Sequence, residues 1–166
     1  MNLKLLFVLL IIFLQTELSA QYYTRSIGLR GGETSGFMYR HMNNELSATG
    51  ILLSFKKDGV QLTLLREFFN EGRFTISELL YISTGYGAHV GFSHDDDFRF
   101  FYHSFKSDKK IFSPVVGIDG YIALEYRMHE IPIIIGFDYK PYFEFSTHRF
   151  FKINIWDTAF SLRYRF

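Results

Sequence analysis

The chain reads as an all-β protein: an eight-stranded, antiparallel, up-and-down transmembrane β-barrel preceded by a cleavable signal peptide. Three observations predict this. The 20 Phe, 11 Tyr and single Trp make 19% of the 166 residues aromatic, a density suited to strands rather than helices. Apolar and polar residues then alternate with a period of two, segment after segment. Finally, after the N-terminal leader the longest aliphatic run, Ile131-Pro132-Ile133-Ile134-Ile135, holds a proline and gives way to Gly136 and Asp138. No later segment can therefore span a membrane as a helix, and a chain without one can cross only as a closed barrel, because lipid cannot satisfy an open sheet edge.

Met1-Asn2-Leu3-Lys4 supplies a short positive start, and Leu5 to Leu14 is an unbroken apolar run of ten residues. A helix needs about 20 to cross a bilayer. The polar stretch Gln15 to Ser19 follows and ends at the small residue Ala20, the order of a secretory signal. The expected domains are thus a signal peptide, 1–20, and a barrel domain, 21–166, exported to the bacterial outer membrane.

Eight strand segments follow in order. Ile27 and Leu29 oppose Ser26, Gly28 and Arg30; Phe37 and Tyr39 oppose Gly36, Met38 and Arg40. Ile51, Leu53 and Phe55 oppose Gly50, Leu52 and Ser54, while Val60, Leu62 and Leu64 oppose Gln61, Thr63 and, less cleanly, Leu65. Tyr86, Ala88, Val90 and Phe92 oppose Gly85, Gly87, His89 and Gly91. Val116, Ile118, Ile122, Leu124, Tyr126 and Met128 oppose Gly117, Asp119, Tyr121, Ala123, Glu125 and Arg127. Ile133, Ile135, Phe137 and Tyr139 oppose Ile134, Gly136, Asp138 and Lys140. Last, Phe160, Leu162, Tyr164 and Phe166 oppose Ser161, Arg163 and Arg165. The segments run roughly 26–31, 36–43, 46–55, 60–69, 79–92, 114–128, 132–143 and 156–166. Lys56-Lys57-Asp58-Gly59 places Asp-Gly in hairpin position, and Pro132 stands at a strand start where no ladder donor is needed. An even count puts both termini on one side, here the periplasm. The tips at 32–35, 56–59, 93–113 and 144–155 would face outward.

Alternation alone leaves open which face points out, so a soluble lipocalin-like carrier of a hydrophobic ligand shares the pattern. Aromatics at the strand ends (Tyr22, Tyr23, Tyr126, Tyr139, Tyr142, Tyr164, Phe166) suit interfacial girdles. Charges of both signs on the polar face suit an enclosed lumen, where they must pair. The expected lumen charge network is Arg30, Arg40, Glu67, His89, Asp119, Glu125, Arg127, Asp138, Lys140, Arg163 and Arg165. Because eight strands enclose a space that side chains fill, this network would plug the lumen rather than leave a diffusion pore.

Composition excludes several function classes. Without cysteine there are no disulfides, thiolate metal sites or cysteine nucleophiles. A net charge of +1 gives no basic field for nucleic acid. His94-Asp95-Asp96-Asp97 lacks the spacing that wraps a cation and reads as a solvated loop, so neither a metal nor another cofactor is expected. His41, His129 and His148 show no ligand spacing. His103-Ser104 prompts comparison with outer-membrane lipid hydrolases, but adjacent strand residues point to opposite faces and no Gly-x-Ser-x-Gly elbow is present. No catalytic residue is therefore assigned. Arg99, Lys106, Lys109 and Lys110 give the 93–113 segment cations for lipopolysaccharide phosphates.

The motifs Gly28-Leu29-Arg30-Gly31-Gly32 with Ser35-Gly36, Gly87-Ala88-His89-Val90-Gly91-Phe92, and Gly117-Ile118-Asp119-Gly120 resemble small outer-membrane β-barrel proteins of the Bacteroidetes type. Leu124-Glu125-Tyr126, Ile131-Pro132, Asp138-Tyr139-Lys140-Pro141 and Ser161-Leu162-Arg163-Tyr164-Arg165-Phe166 extend the likeness over nearly the whole chain after residue 20. Ser93–Ser113 departs from it, being longer and more charged. The resemblance implies an eight-stranded outer-membrane barrel and no defined reaction. The closing residues Phe160, Leu162, Tyr164 and Phe166 match the assembly signal read by the barrel-insertion machinery. The expected role is a non-enzymatic envelope component: a structural element, a surface-loop binder, or an accessory subunit of a larger outer-membrane complex, in contact with outer-membrane lipid and lipopolysaccharide. An outer-membrane lipid-modifying enzyme is the competing class.

Overall fold

The computed structural model describes residues 24–56, 59–70, 79–100, 103–146 and 151–166, with backbone alone over 94–100 and 103–112. Every regular element among them is a strand: β1 (Arg25–Gly32), β2 (Ser35–Asn44), β3 (Ser47–Lys56), β4 (Gly59–Phe69), β5 (Leu80–Phe100), β6 (His103–Arg127), β7 (Ile133–Tyr139), β8 (Tyr142–Ser146), β9 (Lys152–Asn154) and β10 (Thr158–Arg165). All pairings are antiparallel. β1 pairs with β10, and β5 with β6, so the sheet closes on itself. Reciprocal bonds between Arg25 and Phe166 (N to O, 3.1 and 2.9 Å) seal the terminal end of the seam.

Ten strands form eight staves. β7 pairs with β6 over Ile122–Arg127, and β8 takes over the same edge at Val115–Asp119. β7 and β8 are thus one stave, interrupted at Lys140-Pro141, where Pro141 has no ladder donor to give. β9 and β10 form the eighth in the same manner, broken over 155–157. Cross-strand partners from Arg25 run through His41, Thr49, Arg66 and Tyr86 to Gly120. The circuit then returns by way of β7 and β10 to the far end of β1, a stagger of about ten residues, which tilts the strands by roughly 40°.

Turn chemistry matches the sequence at the terminal end. The Asn44 side chain accepts hydrogen bonds from Leu46 N at 3.0 Å and Ser47 Oγ at 2.8 Å, closing the β2–β3 turn after a bulge between Met42 and Asn44. Two expectations change at the other end. The 93–113 segment is no open loop: β5 continues to Phe100 and β6 begins at His103, in register from Ser93↔Ser113 to Phe100↔His103, with a shift between Asp95 and Asp97. The 144–155 segment likewise contains the end of β8 and all of β9. Backbone pairing continues past the tips expected from the sequence, because charge alone does not end a ladder.

The polar side chains point inward and the apolar ones outward. Ile27, Leu29, Phe37, Leu62, Leu64, Val90, Ile118, Phe160 and Leu162 are about half exposed on the outer wall. Arg30, Arg40, Glu67, His89, Asp119, Glu125, Asp138, Lys140 and Arg163 are buried within. Apolar residues of the inward parity (Met38, Leu52, Leu65, Ile134) fill the space between the charges. Tyr142, expected in an aromatic girdle, is instead buried in the lumen, because the inward parity of Asp138 and Lys140 carries across Pro141. Tyr22 and Tyr23 lie outside the described residues.

Candidate functional site

The lumen is the site, and its inward glycines make it. A Cβ on Gly50 would stand 2.8 Å from Glu67 Oε1, and one on Gly117 would run into the His89 imidazole. Bare backbone on one strand lets a long polar side chain of its neighbour lie flat across the wall.

Towards the end at which Arg25 and Phe166 meet, Glu125 is the hub of an inner network. It faces Arg40 Nη1 at 2.7 Å and Arg163 Nη2 at 2.8 Å through Oε1, and Arg127 Nη2 at 3.4 Å through Oε2. Arg40 also grips Glu67 through a two-pronged pair, Nε to Oε1 at 3.0 Å and Nη2 to Oε2. Beneath them Met42, Ala48 and Phe69 form an apolar plug. The Arg127 guanidinium stacks 4.8 Å from the Phe69 ring centre and 4.0 Å from that of Tyr81, closing this mouth.

The outer network is a chain of contacts. Lys56 Nζ meets Glu144 Oε2 at 2.8 Å, and Glu144 Oε2 lies 3.6 Å from His89 Nε2. His89 Nδ1 meets Asp119 Oδ2 at 2.7 Å, Asp119 Oδ1 meets Lys140 Nζ at 3.0 Å, and Lys140 Nζ lies 3.3 Å from Asp157 Oδ2. Asp157 Oδ1 meets Arg30 Nη1 at 3.1 Å, and Arg30 Nη2 meets Asp138 Oδ1 at 2.7 Å. Thr34 closes onto Asp157 and Arg30. The inner network sets three guanidiniums against two carboxylates. The outer one sets three cations against four carboxylates, with His89 among them.

Ten of the eleven residues expected in the lumen network stand in these two chains. Arg165 does not: it sits at the terminal rim and donates to the Met128 carbonyl. Sequence reasoning missed Lys56, Glu144 and Asp157. The last two carry the inward parity of their strands (Tyr142–Glu144, Asp157–Ala159), so continuing the alternation past Pro141 and back from Thr158 finds them. Lys56 has the parity of Ser54, and only the closing of the barrel reveals its partner. Phe160 and Leu162 face outward, as does Phe166, with Tyr164 stacked on Phe166 at 6.4 Å. The side chains of Arg99, Lys106, Lys109 and Lys110 lie outside the described residues, although their backbone belongs to the β5–β6 hairpin. His41 and His129 are exposed, and His148 lies outside the described residues.

Chemically this is an ion-paired interior. His89 Nδ1 is taken up by Asp119 at 2.7 Å, and Nε2 lies 3.6 Å from Glu144 with no nucleophilic hydroxyl bonded to it. Among the described residues no group of three His, Asp or Glu side chains is arranged to hold a metal ion. What fold and site together define is a closed eight-stranded β-barrel with an ionic interior and an apolar exterior. No family model, curated protein or solved structure matches the chain.

Proposed function

We propose that the protein is a non-enzymatic outer-membrane β-barrel of the small Bacteroidetes type, a structural or accessory component of the envelope with a plugged lumen. One observation carries the reading: side chains that water should solvate are buried and paired, while about half of each Leu, Ile, Val and Phe of the wall is turned outward. A soluble barrel carrying a hydrophobic ligand needs the reverse, an apolar cavity behind a polar wall. Contiguous exposed apolar surface on this scale marks a lipid or protein partner. The paired environment of His89 supports a structural role over hydrolysis. Export by the 1–20 leader and contact of the β5–β6 hairpin with lipopolysaccharide complete the proposal.

The test is membrane fractionation combined with gel mobility before and after heating. The barrel should pellet with outer membranes and migrate faster unheated than boiled. Recovery of folded, monodisperse protein in plain buffer without surfactant would overturn the reading.

A further inference from the structure

We propose that the outer wall carries a seat for one phospholipid of the leaflet at the terminal end: Arg66 takes the phosphate, and a notch at Gly120 takes an acyl chain. This rests on the reading of the wall as lipid-facing. Arg66 has the outward parity of Leu62 and Leu64, three residues before β4 ends at Phe69. It is a cation on an apolar wall, and its partners are neutral: the Thr49 and Ser47 hydroxyls, each at 3.2 Å, and the Phe68 ring, 5.7 Å away. The carboxylates nearest in sequence are placed elsewhere. Glu67 is buried in the lumen and held by Arg40, and Glu45 stands exposed in the β2–β3 turn. Each Nη spends one N–H on a hydroxyl, so donors of the five-donor fork remain for an anion. Further donors surround it: the Asn43 amide meets Thr49 Oγ1 at 3.0 Å, and the exposed His41 is the cross-strand partner of Thr49. A phosphate diester fits this cluster.

The notch lies on the same cross-strand row. Arg66 pairs with Tyr86, and Tyr86 with Gly120; two such steps span roughly 10 Å. Gly120 puts no side chain on the outward face, and a cavity of about 280 Å³ opens there between Tyr86, Ile118 and Phe143. The nearest neighbour of a Cβ on Gly120 would be Pro141 Cγ, at 3.3 Å. Tyr86 is 63% exposed, with its ring 6.0 Å from that of Phe68, so aromatic surface joins the cation to the notch. Because the strands tilt by roughly 40°, the row climbs from the terminal rim at Arg25, through Arg66, to Gly120 higher on the wall. An acyl chain anchored at its headgroup runs the same way, through about 15 Å of its leaflet. Head and tail of one phospholipid therefore meet both features at once. Inorganic phosphate meets only the first, and an uncharged acyl lipid only the second.

Native mass spectrometry of the full folded chain, released from maltoside micelles after titration with dioleoyl phosphatidylglycerol, tests the seat. One lipid should stay bound per barrel. Arg66→Gln and Gly120→Leu should each weaken its binding about tenfold, with the folding of both variants checked by gel mobility before and after heating. Dioleoyl glycerol, which lacks the phosphate, should bind the wild-type protein and Arg66→Gln alike, and inorganic phosphate should not displace the phospholipid. If Gly120→Leu does not fold, Arg66→Gln, which lies outside the ionic chains, decides alone. No retained lipid, unchanged binding in either folded variant, or displacement by inorganic phosphate each overturns the proposal. A barrel that pellets with outer membranes yet retains no lipid rejects the seat and leaves the membrane reading standing; a chain folded in plain buffer without surfactant rejects both.

Discussion

Glu125 carries more of the interior than any other single residue, because three guanidiniums converge on it. Glu125→Ala strands Arg40 and Arg163 as buried cations with fewer partners. The expected loss is about 3–5 kcal/mol, as for breaking a buried pair from one side. Urea titration of the refolded protein measures it. Arg66→Ala is the control: its guanidinium meets Thr49 and Ser47 hydroxyls at 3.2 Å outside the ionic chains, and a cost below about 1 kcal/mol is expected. Gly117→Ala should strain the wall and the lumen together, because an added Cβ would run into both the Phe143 carbonyl oxygen of β8 and the His89 imidazole. The expected cost is about 1–3 kcal/mol, read by the same urea titration. Residue identity was legible in the sequence wherever parity was unbroken, as at Glu125, Asp138 and Arg163. It failed at Glu144 because 144–155 was read as a hairpin tip, and at Asp157 because the alternation of the last strand was followed back only to Phe160, while Ile155 and Trp156 are both exposed and shift the parity there.

The outward stripe of β10 gives the sharpest test of what surrounds the wall. Leu162 is 53% exposed and pairs with Leu29 and Ile135 on the flanking strands. Replacing a half-exposed leucine by arginine on a water-facing surface would change stability by about 0.5 kcal/mol or less. In a bilayer the cost is about 2–4 kcal/mol near the midplane. Leu162→Arg refolded into lipid vesicles should show the larger loss. The antiparallel, up-and-down strand order was readable from turn residues and alternation, which set each strand beside its neighbour in sequence. The length of β5 and β6 was not. Among the described residues their outer halves pair with each other, and the unbroken His94-Asp95-Asp96-Asp97 run interrupts the alternation from which pairing is read.

At the scale of the whole molecule, the buried side chains among the described residues support the proposed plug. Met42, Phe69, Tyr81 and Arg127 close one mouth, and the two ionic chains cross the middle. Planar-bilayer recordings should show no steady large conductance, and Glu125→Ala should give at most brief openings; a constant open level in the wild-type protein would contradict the plug. The closed barrel was legible because strand after strand alternates, and closing the sheet on itself leaves no unpaired edge. How its charges pair was not, since shear decides which inward residues meet and shear appears only once the ring closes. The unequal height of the wall has a consequence of its own. β1, with 8 residues, stands diametrically opposite β5, with 21. Closure of the ring uses β5 only as far as Ser93, opposite Gly59 where β4 begins, so the ribbon above is a mast that bears no load. An epitope or a small foreign domain spliced into its top should leave the hull watertight.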